Sequence, residues 1–255
     1  MTEQYKIFEA VLTGTDKGNP YTDIRLKAVF ENETDSVEVN GFYCGGGTYK
    51  VRFMPGKPGT WRAVTESNDP ALQGVELICT CTPAREGNHG RVVPMNEVYA
   101  PKDVTEEARF AFAYEDGMRF QPFGTTCYAG VNQPEEIQEQ TLETLKASPF
   151  NKIRMCIFPK FYTYNVTNPP YYAFEGSEEE GFDFTRFNPV FWESLEKRIG
   201  ELDELGIEAD IILLHPYDRW GFSDMGRETD VFYLKYAVDR LSHYKNVWWS
   251  LANEY

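Results

Sequence analysis

From Gln121 onward the chain keeps one rhythm, and that rhythm limits what it can fold into. Short aliphatic runs, Gln121 to Thr125, Lys152 to Phe158, Ile207 to Leu214 and Val247 to Ala252, alternate with stretches spaced for helices. Pro134 with Glu135 and Glu136 opens the first helix, acidic groups suiting its positive end. Asn188 caps the second, Pro189 fits its first position, and Phe191, Leu195, Ile199 and Leu202 recur at helical spacing until Gly206 stops it. A third runs from Glu228 to His243 with Val231, Leu234, Val238 and Leu241 expected to face inward. Strands that alternate with helices and are rich in aliphatics predict a parallel sheet. A complete eight-fold barrel takes about 250 residues. Residues 121–255 therefore read as the first half of a (β/α)8 TIM barrel. An open half exposes strand edges, so the expectation is that further chain continues it, or that a second copy closes it as a homo-oligomer.

Before that rhythm begins the period is two. Ile24, Leu26, Ala28 and Phe30 alternate with Arg25, Lys27 and Val29, and similar runs follow at Val37 to Phe42, Tyr49 to Phe53, Trp61 to Thr65 and Val75 to Thr82. Short strands punctuated by Gly and Pro predict an N-terminal β-sandwich over residues 1–92. Gly45-Gly46-Gly47 lacks the Lys-Ser/Thr pair and helix of a phosphate loop and reads as a turn. Between Pro83 and Lys102 periodicity is lost, which marks a boundary. The pair of apolar runs around Glu115-Asp116-Gly117 is a hairpin signal. Residues 93–120 are assigned as linker and barrel-bottom hairpin. The fold class is multidomain, β followed by α/β.

Composition narrows the function. A formal charge of −15 argues against nucleic acid or an anionic membrane surface as partner. No stretch approaches the ~20 apolar residues of a membrane span. Five cysteines without framework spacing, behind an N-terminus lacking a signal peptide's pattern, read as reduced thiols in a cytoplasmic protein. Cys79-x-Cys81 has no second pair to complete a zinc site, and no HExxH or clustered His/Asp spacing occurs, so neither metal nor cofactor is expected.

Chemistry is expected where parallel strands end, because those ends converge on one face. Arg154 lies in the second strand, His215 follows the third, and Asn253 and Glu254 close the fourth. A carboxyl group beside an amide suits protonation of a glycosidic oxygen, and enclosure by Trp248 and Tyr255 would keep it protonated near neutral pH. Ser250 and Ala252 share its face by strand alternation and leave room there. A plain Glu254–Arg154 ion pair is the competing reading. The loops at the strand ends are aromatic. Tyr128 follows the first strand, and Trp220, beside Asp218 and Arg219, is the foremost sugar platform.

Two resemblances sharpen this. Asn40-Gly41-Phe42, Tyr49 to Pro55, Pro58-Gly59-Thr60-Trp61 and Gly87-Asn88-His89-Gly90 resemble an uncharacterised β-sandwich module found before glycosidase barrels. Lys152 to Pro159, Ile211 to His215 and Leu251 to Glu254 resemble the second, third and fourth strands of clan A glycoside hydrolases, closest to the cellulase-like branch. The resemblance implies a retaining O-glycoside hydrolase acting on a plant-type poly- or oligosaccharide. It implies Glu254 as acid/base, Asn253 on the sugar 2-hydroxyl, and Arg154 and His215 supporting the nucleophile and the −1 subsite. The clan's nucleophile lies on a seventh strand, outside this sequence. A non-catalytic carbohydrate-binding or scaffold protein is the alternative.

Overall fold

The computed structural model describes residues 1–99 and 110–254. The chain divides into two compact units, Met1–Pro122 with Ser242–Lys245, and Phe123–Leu241 with Asn246–Tyr255.

The first unit begins with β1 (Thr2–Glu3), β2 (Phe8–Thr13), a single helical turn α1 (Pro20–Asp23), β3 (Leu26–Glu31), β4 (Ser36–Gly45), β5 (Thr48–Phe53), β6 (Gly59–Ser67) and β7 (Glu76–Thr82). These seven strands form one nearly closed sheet in the order β1-β7-β6-β3-β4-β5-β2. The expected sandwich has two separate sheets; here β4 joins both halves. Its first part, Ser36 to Asn40, pairs with β3, and its second, from Gly41, pairs with β5. Coiling brings the inward rows together, with Phe30 of β3 stacked on Phe53 of β5 at 4.3 Å. Gly41 sits at the changeover because a Cβ there would lie 2.5 Å from Leu26 Cδ2.

The period-two rows face as the sequence predicts. On β7, Leu77, Cys79 and Cys81 point into the core while their neighbours are exposed. Burial pushes the Cys81 thiol up to about 11, which leaves it protonated and inert at neutral pH. Gly45, Gly46 and Gly47 all have positive φ and form the β4–β5 turn.

Segment 93–120 carries a small sheet of its own, β10-β9-β8, and groups with the first unit. It is built from β8 (Val92–Pro94), α2 (Met95–Val98), β9 (Phe112–Tyr114) and β10 (Arg119–Phe120). The β9–β10 hairpin turns at Gly117, φ +92°, where the Met118 amide donates to Asp116 Oδ1 at 2.9 Å. Residues 100–109 of the expected linker lie outside the described residues.

The second unit contains β11 (Gly124–Thr126), α3 (Glu135–Lys146), β12 (Lys152–Cys156), β13 (Phe174–Ser177), β14 (Gly181–Phe187), α4 (Pro189–Glu204), β15 (Glu208–Leu214), α5 (Arg227–Leu241) and β16 (Val247–Ala252). Four of its strands form a parallel sheet in chain order, β11-β12-β15-β16. Helix α4 starts as predicted, Asn188 Oδ1 accepting from the Val190 amide at 3.1 Å. It ends where Gly206, φ +70°, lets the Ile207 amide reach back to the Leu202 carbonyl at 2.8 Å.

One element is absent from the sequence reading. The aromatic stretch after β12 contains the antiparallel hairpin β13–β14, turning at Glu178 to Glu180. Phe174 and Phe187 are fully buried, and Phe187 stacks on Tyr236 of α5 at 3.8 Å. Among the described residues, no helix is long and apolar enough to cross a membrane.

Candidate active site

Register fixes which side chains share the sheet face that carries polar groups. Arg154 pairs with Asp210 and Asp210 with Trp248; one rung higher Cys156, Ile212 and Ser250 align, and Leu214 and Ala252 close the ladder. Apart from Arg154, the polar side chains of the lower rungs are already committed. Lys152 and Asp210 form an ion pair, Ser250 Oγ donates to Asp210 Oδ1 at 2.7 Å, and Trp248 Nε1 donates to Glu208 Oε2 at 2.9 Å. Ser250 therefore serves Asp210 rather than leaving open room. Trp248 is committed low on the strand and does not enclose Glu254. Tyr255, the other expected wall, lies outside the described residues.

At the strand ends two polar atoms stay open. Asn253 is buried and continues the ladder through its amide to the Leu214 carbonyl at 3.0 Å, yet its Nδ2 has no partner among the described residues. Arg154 Nε is likewise buried and unpartnered there. No ion pair joins Arg154 to Glu254 among the described residues. Glu254 is exposed, and its φ of +55° places it in the left-handed region. That conformation costs a non-glycine residue about 1 kcal/mol and is concentrated at functional sites. It also ends strand alternation at Ala252, so the shared face expected for Ser250, Ala252 and Glu254 does not extend to Glu254.

His215 is buried and holds a different post from the one expected. Its Nε2 is 3.0 Å from the Phe158 carbonyl, and its Nδ1 lies 3.2 Å from the Tyr217 amide. The amide can only donate, so Nδ1 accepts and Nε2 carries the proton. Both nitrogens are thus taken by backbone, and His215 braces the loops after β12 and β15 rather than offering a nitrogen to a sugar. Burial holds its pKa below the ordinary range; the Phe158 carbonyl and Asp218 oppose this, and the Lys160 charge adds to it. As pH falls below about 6.5 the unfolded chain takes up a proton that the folded imidazole refuses, so stability is lost toward acid. This loss is at most about 1.4 kcal/mol per pH unit. Urea midpoints at pH 7 and pH 5.5 should fall less for His215→Gln than for the natural chain; equal falls would contradict a neutral His215.

The two predicted aromatic platforms are occupied. Trp220 is 7% exposed, with Arg219 over its ring at 5.2 Å and Phe161 and Tyr172 against it. It is a packing residue. The Tyr128 ring carries the Lys160 ammonium at 4.1 Å. Among the described residues after β12, the most open rings are those of Tyr164, 89% exposed, and Tyr171, with Phe161 next. Sequence reasoning missed Lys160 and Asn132, whose buried amide donates to the Ile157 carbonyl at 3.2 Å. A lone Lys or Asn in a loop carries no periodic signal. Among the described residues no group of three His, Cys, Asp or Glu side chains could hold a metal ion.

Residues 106–255 match the family described as apiosidase-like, catalytic domain. The chain belongs to this apiosidase-like family. Ahead of the apiosidase-like domain, residues 1–68 match a domain of unknown function, DUF5060. The whole chain is similar to a solved protein of Bacteroides vulgatus ATCC 8482 classed as a glycoside hydrolase, with 44% identity and a TM-score of 0.90 over 99% of this chain and 49% of that one. The chain spans about half the length of that relative. Weaker likenesses include a family 5 glycoside hydrolase from the same organism, at 19% identity and a TM-score of 0.44 over 60% of this chain and 33% of that one. Another is an endo-1,4-β-mannanase from Rhizomucor miehei, at 16% identity and a TM-score of 0.41 over 56% and 46%. No curated protein matches the chain. The family description thus gives residues 106–255 as a catalytic domain of apiosidase-like type.

Proposed function

We propose that the protein is a retaining O-glycoside hydrolase of clan A type acting on a plant-type poly- or oligosaccharide, with Glu254 as its acid/base. The four parallel strands are then the first half of a (β/α)8 barrel, and a carboxylate on a seventh strand is the nucleophile. The observation that carries this reading is the end of β16, where an exposed Glu254 in a left-handed conformation follows a buried Asn253 with an uncommitted amide. Strand order in chain sequence and a relative of twice the length support the barrel.

The chemistry follows from those positions. As the glycosidic C–O bond breaks, Glu254 passes its proton to the leaving oxygen, and the same carboxylate later takes a proton from the water that releases the sugar. Asn253 Nδ2 donates to the 2-hydroxyl, a hydrogen bond that strengthens as positive charge grows on the ring. Arg154, anchored lower on β12, supplies positive charge toward the nucleophile. Retention requires the two carboxyl groups about 5–5.5 Å apart.

Proton NMR of the full-length protein cleaving a panel of aryl glycosides tests this directly. The first sugar released should keep the anomeric configuration of its substrate. Release of the opposite anomer would remove the retaining assignment, and no cleavage across the panel would remove the hydrolase.

A further inference from the structure

Lys160 stands out in the second unit. It lies four residues past the end of β12 and is 6% exposed. Its Nζ sits 4.1 Å from the ring centroid of Tyr128, 4.3 Å from that of Tyr217 and 5.1 Å from that of Tyr162. Those rings come from the segments that follow β11, β15 and β12, so the cage spans three neighbouring strand ends. Among the described residues no carboxylate pairs with this ammonium and no oxygen accepts its hydrogens. The chain has 40 Asp and Glu against 25 Lys and Arg. With acceptors in such surplus, an ammonium on so enclosed a side chain without a carboxylate beside it is unusual. Its Nζ is not among the fully enclosed unpartnered atoms, so its head keeps an opening by which a ligand oxygen can reach it.

The surroundings hold Lys160 firmly. Asn165 Nδ2 donates to the Lys160 carbonyl at 2.8 Å, and Gln133 Nε2 donates to Asn165 Oδ1 at 2.8 Å. The Phe161 amide donates to the Tyr217 carbonyl at 3.0 Å. The loop is therefore fixed before any ligand arrives. Cation–π contacts offset part of the desolvation. The rings bring no net negative charge, and an ammonium has three hydrogens to donate.

We infer that Lys160 is a specificity residue that takes an anionic oxygen group on the glycan, a uronate carboxylate or a sulfate ester. The inference rests on the reading of the strand ends as a glycan site. An ammonium is a compact point charge, so it reads charge rather than the planar shape an arginine would read. In a chain of charge −15 the surrounding field repels anions, and only a local cation makes such a group welcome.

Titration calorimetry on the full-length protein decides the matter with S-linked disaccharides, which are not hydrolysed. Each set is identical except for a C6 carboxylate, a 6-sulfate or a 6-hydroxyl. One anionic member should bind at least ten-fold tighter than the neutral one, with the preference shrinking as salt rises, and which member wins names the group. Lys160→Met should abolish the preference while neutral affinity stays within two-fold, and Lys160→Arg should keep part of it; melting curves confirm that both variants fold. Equal binding of neutral and anionic members, or a preference that Lys160→Met retains, overturns the inference and leaves the glycosidase reading standing. No binding of any member overturns both.

Discussion

Glu254→Gln in the full-length protein should lower kcat/KM on methyl glycosides by about 10²–10⁴-fold, the range that a positioned proton donor contributes. Glutamine keeps the shape and removes the proton. The loss should depend on the leaving group. A dinitrophenolate departs without protonation, so its glycosides should lose far less kcat/KM than methyl glycosides, while kcat falls because release of the sugar still needs a base. Azide, which attacks without base assistance, should restore turnover of the dinitrophenyl glycoside and yield a glycosyl azide. Equal losses on both substrates, or none, would move the acid/base role away from Glu254. Because Glu254 is exposed and not hydrogen-bonded among the described residues, the substitution should leave the melting temperature nearly unchanged.

The largest effect on stability is expected between α4 and α5. Arg240 is fully buried; its Nε donates to Glu196 Oε1 at 2.6 Å and its Nη1 to the Tyr236 hydroxyl at 2.9 Å. Glu196→Ala removes the carboxylate that the Nε of this buried guanidinium holds. Removing one partner of a buried pair costs about 3–5 kcal/mol, read as a fall in the urea midpoint at constant slope. The double variant Glu196→Leu, Arg240→Met should recover most of the loss, since apolar replacement of a whole buried pair is often neutral or stabilising. If the double variant is as weak as the single, the deficit lies in packing around Trp192 and Tyr236 rather than in the broken ion pair.

Local signals made much of the second unit legible. The Asn188-Pro189 start and Gly206 stop of α4 are backbone requirements written into residue types, so they could be read directly. Strand-end positions of Arg154, His215, Asn253 and Glu254 followed from counting along the strands. What each side chain does there did not follow. His215 is claimed by two backbone groups contributed by different loops, which no spacing announces. Glu254 leaves the strand by a left-handed turn, so alternation ceased to predict its direction one residue too early. Trp220 looked like a platform because it lies in a polar loop, but Arg219 and the hydrophobic loop residues close over it. The β13–β14 hairpin was hidden because Glu178 to Glu180 dominate the pattern, although Phe182 and Phe184 alternate behind them. The coiled sheet of the first unit was hidden for another reason. A strand that changes partners halfway, as β4 does at Gly41, has the same period-two pattern as one that does not.

The pairing of the first strand has a consequence for how the protein is made. Thr2 and Glu3 are made before every other strand of their sheet, yet they pair in parallel with Cys81 and Thr82 of the strand made last. At about 5–20 residues per second, the nascent chain passes several seconds with β1 unpaired. The β3–β4 and β4–β5 hairpins are adjacent in sequence and can zip as they emerge, whereas the outer edge waits for β7. Ribosome-arrested chains released before and after residue 82 should therefore differ sharply in protease resistance near their N-terminus. In this sheet the strand made first is the one paired last.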